Sequence, residues 1–209
     1  MKKLIAGFLL GGTMAVSALA QSPEMAPDAL AKKVTDEVLA VLRADRDIQA
    51  GNQKKVFDLV DAKVLPHFNF ARMTQLAMGR NWRQANPQQQ QTLTTEFRAL
   101  LVHTYTSAFT QYRDQVVEYR PLKLQAGDTD VTVRSLIKQK AGGDPVDINY
   151  SMEKLDSGWK VYDVTIAGVS LVQNYRSTFN SEIQKSGIDG LIETLRNKNK
   201  SLSKQVANK

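Results

Sequence analysis

The 209-residue chain contains no cysteine, which excludes a disulfide framework, a thiolate metal site and a cysteine nucleophile together. Histidine is nearly absent as well. His67 and His103 are the only two, too few for a histidine-rich metal centre. After Ala20 no apolar run approaches the ~20 residues that a membrane-spanning helix requires, so a multi-span membrane protein is excluded. Hydrophobic residues nonetheless make up 42% and charged residues 23%, a mix that supports a buried core. This composition favours binding over catalysis.

The first twenty residues read as a secretory signal peptide. Lys2 and Lys3 precede an apolar run from Leu4 to Val16, and Ala18-Leu19-Ala20 supplies a small-x-small cleavage site. No cysteine follows, so the common lipoprotein anchor is excluded, and the mature protein is expected to begin near Gln21 and to lie free outside the cytoplasmic membrane. Removing residues 1–20 takes away two lysines and no acid, which lowers the formal charge from +7 to +5. A basic exported protein meets anionic lipid or acidic protein surfaces. Export, and aromatics that are not interleaved with arginines, argue against nucleic acid. Residues 21–196 form one predicted domain, and the basic segment 197–209, with Lys198, Lys200 and Lys204, is expected to be a flexible tail.

Leu30, Val34, Val38 and Leu42 recur at helical spacing, and Lys54–Val64 and Phe70–Met78 predict two further helices separated by Pro66 and stopped by Gly79. Asn86-Pro87 is a helix start, because Asn caps free amides and Pro at the first helical position loses no hydrogen bond. The stripe Leu93, Phe97, Leu100, Leu101, Tyr105, Ala108, Phe109 and Tyr112 predicts one long amphipathic helix. The period then changes to two. Val117 and Tyr119, Val131 and Val133, Val146 to Met152, and Trp159 to Ile166 predict four antiparallel strands joined by tight turns. In the last of these the apolar parity slips, which a bulge near Asp163 explains. Helices return over Ser170–Gln184 and, beyond Ser186-Gly187, from Ile188 to Leu195. The order is α+β: a curved four-stranded antiparallel sheet, NTF2-like, wrapped by N- and C-terminal helices around an apolar pocket.

No catalytic set stands out. Gly168-Val169-Ser170 lacks the second glycine of a nucleophile elbow, and Ser170 reads as a helix cap. Asp163, at the parity slip, is the one acid placed to point inward, as in an isomerase-like pocket, although holding the bulge explains it better. Phe97, Leu101, Tyr105 and Phe109 of the long helix are expected to face Ile148, Tyr150, Trp159 and Val161 of the sheet. A packed core and a lipid pocket use the same residue types, so periodicity does not separate them. Arg72, Arg80 and Arg83 are candidates for a pocket mouth or a docking face.

Phe70-Ala71-Arg72-Met73, Gly79-Arg80-Asn81-Trp82, Trp159 to Val164, Gly168 to Val172, Asn174-Tyr175-Arg176 and Gly187 to Leu191 together resemble the MlaC, or toluene-tolerance, family over residues 30–196. One departure is Ala167, where that family usually carries an acid. The resemblance implies a periplasmic phospholipid carrier without enzymatic activity, cofactor or metal, its cargo held by acyl chains in an apolar pocket. It further implies exchange with an inner-membrane ABC transporter bearing an MCE-domain subunit and with an outer-membrane lipoprotein–porin complex, which would maintain outer-membrane lipid asymmetry. A monomer is expected. The lining residues under this reading are Met73, Leu76, Phe97, Leu101, Tyr105, Phe109, Val133, Ile148, Tyr150, Trp159, Val161, Val164, Ile166, Val169 and Val172. Two alternatives are a periplasmic chaperone or adaptor with a shallow groove, and an isomerase-like enzyme using Asp163.

Overall fold

The computed structural model describes residues 25–110, 114–139 and 142–207. The export signal, its cleavage point near Gln21 and Tyr112 lie outside the described residues. Three helices open the described chain: α1 (Pro27–Ala44), the single turn α2 (Arg46–Gln49) and α3 (Gln53–Lys63). Pro27 starts α1 ahead of Leu30, since its missing amide has no partner in the first turn of a helix. These helices close over a small core of Val38, Leu42, Ile48, Val56, Leu59 and Val60.

Helix α4 (Phe70–Met78) is capped by Asn69, whose side chain accepts the Arg72 amide at 3.0 Å, and ends at Gly79 in the left-handed region (φ 54°). Helix α5 (Pro87–Tyr105) begins with the cap its sequence announces. The Asn86 side chain accepts the Gln89 amide at 2.8 Å, and the Gln89 side chain accepts the Asn86 amide at 3.0 Å. The apolar stripe does not run on as one helix. The chain bends at Thr106 into the one-turn α6 (Ser107–Thr110), and Phe109 packs against the α1–α3 core, which offers it apolar surface that a straight α5 would not reach.

The sheet is an antiparallel meander in chain order: β1 (Val116–Tyr119), β2 (Asp130–Lys138), β3 (Val146–Leu155), β4 (Gly158–Ile166) and β5 (Val169–Ser170). Its fifth strand is too short for alternation to reveal it. Ser151 faces Asp163 while Met152 faces Val161, so Tyr162 is an extra residue on β4. This bulge, one residue from the expected place, turns both Val161 and Val164 to the same side.

Helix α7 (Leu171–Ala207) is broken at Gly187 (φ 74°, ψ −176°), where Ser186-Gly187 predicts a break. Its second half does not end at Leu195. The expected flexible tail is helical through Ala207, because Asn199 donates to the Glu96 carbonyl and carboxylate at 2.9 Å each and Leu202 packs on the helical core. That core joins α4, α5 and α7. Phe97, fully buried, meets Tyr175 and Phe179 edge to face with ring centres 5.1 and 5.0 Å apart, and Met73, Met78, Leu101 and Val172 complete the packing.

Candidate functional site

Side chains alternate across a strand, so the register decides which residues share a face. Tyr119, Ser135, Ile148 and Ile166 form one row across four strands, Val133, Tyr150 and Val164 the next, and Val131, Met152 and Val161 a third. The other face carries Asp130, Arg134, Asn149, Glu153 and Asp163 by the same register. One side of the sheet is therefore apolar and the other charged.

The apolar face is only partly filled. Val133, Met152 and Trp159 are buried, whereas Val131, Ile148, Tyr150 and Ile166 keep part of their surface accessible. Over it lie Leu30 and Ala31 of α1, with Phe68, Leu122 and Leu171 at its margins. The large side chains of α5 do not reach it, since Phe97 and Leu101 are spent in the helical core. A small polar group sits within this face. The Tyr119 hydroxyl meets Thr35 Oγ1 at 2.7 Å and donates to the Ala31 carbonyl at 3.1 Å, which ties α1 to β1. Tyr150 lies beside Tyr119 and Ser135, whose hydroxyl donates to the Ile148 carbonyl at 2.8 Å. Burial pushes both tyrosine hydroxyls above their ordinary range, so both stay protonated donors.

Two adjoining open hollows, about 480 and 490 Å³, lie elsewhere, around Gly79. They share Gly79, Arg80 and Arg176, and no residue of the apolar face lines either. Arg72 closes one end of the second hollow. It pairs with Glu153 at 2.5 Å and Asp130 at 2.9 Å and lies 3.6 Å above the Tyr162 ring, so α4 is clamped to the charged face of the sheet.

The fifteen residues expected to line one pocket fall in different places. Met73, Leu76, Phe97, Leu101, Tyr105 and Val172 belong to the helical core. Phe109 belongs to the α1–α3 core, and Val169 stands exposed on β5. Val133, Ile148, Tyr150, Trp159, Val161, Val164 and Ile166 come together on the apolar face. The expected contact of Phe97, Leu101, Tyr105 and Phe109 with the sheet is thus not formed, because α5 spends its stripe on α4 and α7. Residues that sequence reasoning missed are Leu30, Ala31, Thr35, Phe68, Tyr119, Leu122 and Leu171. For Tyr119 the signal was present, since it alternates with Val117. Thr35 carried none.

Asp163 is fully engaged. It accepts the Ser170 hydroxyl at 2.5 Å, the Val164 amide at 2.8 Å and the Val172 amide at 3.1 Å, and Ser170 in turn caps α7 by accepting the Gln173 amide at 3.0 Å. Bulge and helix start are held together by one carboxylate. The His103 ring meets Phe57 at a tilt of 58° with ring centres 5.4 Å apart, and its Nδ1 is buried without a hydrogen-bond partner among the described residues. Burial lowers the pKa of both His103 and His67. Among the described residues no group of three or more His, Cys, Asp or Glu could hold a metal ion, and no helix is long and apolar enough to cross a membrane.

This arrangement has relatives. A phospholipid-binding protein from Ralstonia solanacearum, solved in complex with a phospholipid, superposes with a TM-score of 0.77 at 44% identity, covering 84% of this chain and 98% of that one. The intermembrane phospholipid transport system binding protein MlaC of Haemophilus influenzae is 23% identical over 171 residues, 81% of this chain and 80% of its own. The toluene tolerance protein ttg2D of Pseudomonas putida is 23% identical over 167 residues, 78% of this chain and 75% of its own. The MlaC protein profile matches residues 32–197, and the chain belongs to the MlaC family, whose members are lipid-binding transport proteins and not enzymes.

Proposed function

We propose that the protein is a periplasmic phospholipid carrier whose cargo lies with its acyl chains against the apolar face of the sheet, beneath α1. The observation that carries this reading is a set of large side chains, Ile148, Tyr150 and Ile166, left part-exposed on a face that α1 meets through Leu30, Ala31 and Thr35. The phospholipid complex of the Ralstonia solanacearum relative supports it. Each methylene moved out of water is worth about 0.8 kcal/mol, so a chain of ordinary length costs roughly 10 kcal/mol to leave in water. An apolar face opened by a shift of α1 offsets most of that cost without a covalent step. The headgroup stays in water, so the protein is tolerant of headgroup type and dependent on the chains.

In this role the chain exchanges lipid with an inner-membrane ABC transporter bearing an MCE-domain subunit and with an outer-membrane lipoprotein–porin complex, and so maintains outer-membrane lipid asymmetry. The test is native mass spectrometry of the mature protein purified without detergent, followed by extraction of what is bound. Phospholipid at a fixed ratio, displaced by intact phospholipid but not by glycerophosphodiesters lacking acyl chains, is the expected result. A protein that stays lipid-free after incubation with phospholipid vesicles would refute the carrier.

A further inference from the structure

The hollows around Gly79 are not used by a lipid on the apolar face. Arg72, their link to the sheet, attaches to the charged face, on which Asp130 and Glu153 alternate with the apolar residues Val131 and Met152 of the opposite side. The hollows are basic. None of their lining residues is acidic, and among the described residues Arg80, Arg83 and Arg176 have no carboxylate within ion-pair distance, although the molecule forms such pairs at many other cations. Arg176 also lies against this turn. A Cβ on Gly79 would come within 3.1 Å of its Nε and NH2 atoms, and Gly79 has the positive φ of 54° that favours glycine.

We infer that these hollows are a docking surface for an acidic segment of a partner protein, whose carboxylates pair with Arg80, Arg83 and Arg176. The shape selects the occupant. A concave basic surface takes a protruding chain, whereas a bilayer surface meets convex or flat basic patches. Planar guanidinium groups suit carboxylates in paired hydrogen bonds better than lysine would. Trp82 beside Arg80 and Arg83 adds an apolar wall against which the stem of a glutamate lies. The inference deepens the carrier reading, which requires partners at two membranes, by naming the face and the chemistry of one contact.

The experiment titrates the full mature protein into a fluorescein-labelled oligoglutamate peptide at low salt and reads anisotropy. Wild type binds, Arg80→Glu with Arg176→Glu binds at least about tenfold more weakly, and Lys198→Glu with Lys200→Glu, an equal change of charge outside the hollows, changes affinity less than about twofold. Arg80→Gln with Arg176→Gln, checked by circular dichroism, gives a smaller loss in the same direction without charge reversal. Equal losses from the two charge-reversed variants, or no binding by wild type, would overturn the docking surface. So would an arginine variant that loses only its binding to phosphatidylglycerol vesicles, which would assign the site to a membrane. Bound phospholipid measured on the same samples stays at the wild-type ratio. Absence of lipid from wild type would instead count against the carrier reading and leave the peptide titration to decide the docking surface.

Discussion

Replacing Ala167 with glycine is expected to stabilise this protein. Ile166 and Val169 are partners across β4 and β5, so Ala167 and Gly168 form a two-residue hairpin link. Their φ angles are 48° and 82°, both positive as a type I′ turn requires, and Ala167 is the only non-glycine residue with positive φ among those described. An L-residue in the left-handed region costs about 1–2 kcal/mol. Glycine removes that cost and adds about 0.5–1 kcal/mol of unfolded-chain freedom. Ala167 is exposed, so no packing is lost, and the hydrogen bond its backbone N–H donates to the Asp147 carbonyl at 2.9 Å is kept. The net gain is about 0.5–1 kcal/mol, or about 1–4 °C in Tm for a chain of this length. Urea unfolding followed by circular dichroism should show a raised midpoint at unchanged slope. Ala167→Val, stiff and branched, should lose at least about 1 kcal/mol. A glycine variant no more stable than wild type would refute this account of the turn.

Three further perturbations separate core, cap and proposed cargo face. Phe97→Ala should cost about 3–5 kcal/mol in denaturant unfolding, given its complete burial and two edge-to-face partners, while the folded fraction keeps its phospholipid; Ile148→Asn should do the reverse, lowering bound phospholipid with a smaller loss of stability. Asp163→Asn should cost about 1–2 kcal/mol by weakening the cap of α7, with bound lipid unchanged, and loss of lipid at full stability would restore a functional role to this acid. His103 has a folded-state pKa below its ordinary 6.5 because burial disfavours the cation, so the unfolded chain binds more protons and stability should fall as pH drops below about 6.5. Chemical unfolding at stepped pH should show that His103→Phe flattens this dependence; an unchanged slope would place it on His67, whose burial acts in the same direction.

Local signals were legible wherever neighbours in sequence are also neighbours in space. Asn86, Pro87 and Gln89 contain their own capping box, Gly187 contains its own break, and the parity slip in β4 announced the bulge one residue from where it sits. The α+β order followed from the change of period after Tyr112, and the family resemblance rested on short segments that keep their spacing. Tertiary structure decided which apolar face meets which. The stripe of α5 could have covered the sheet or another helix with equal hydrophobic gain, since burial is non-directional. Aromatic contacts of Phe97 with Tyr175 and Phe179 settled it in favour of α7, and that choice left the face of Tyr150 and Ile148 part-covered. The basic tail became helix for a similar reason, because Asn199 found Glu96 a hundred residues away in sequence. Likewise, three arginines from α7 and the turn after α4 meet only in space. Sequence periodicity determined that this chain has apolar faces and basic side chains in quantity; the pairing of faces, and so which surfaces stay part-covered, was a property of the folded chain alone.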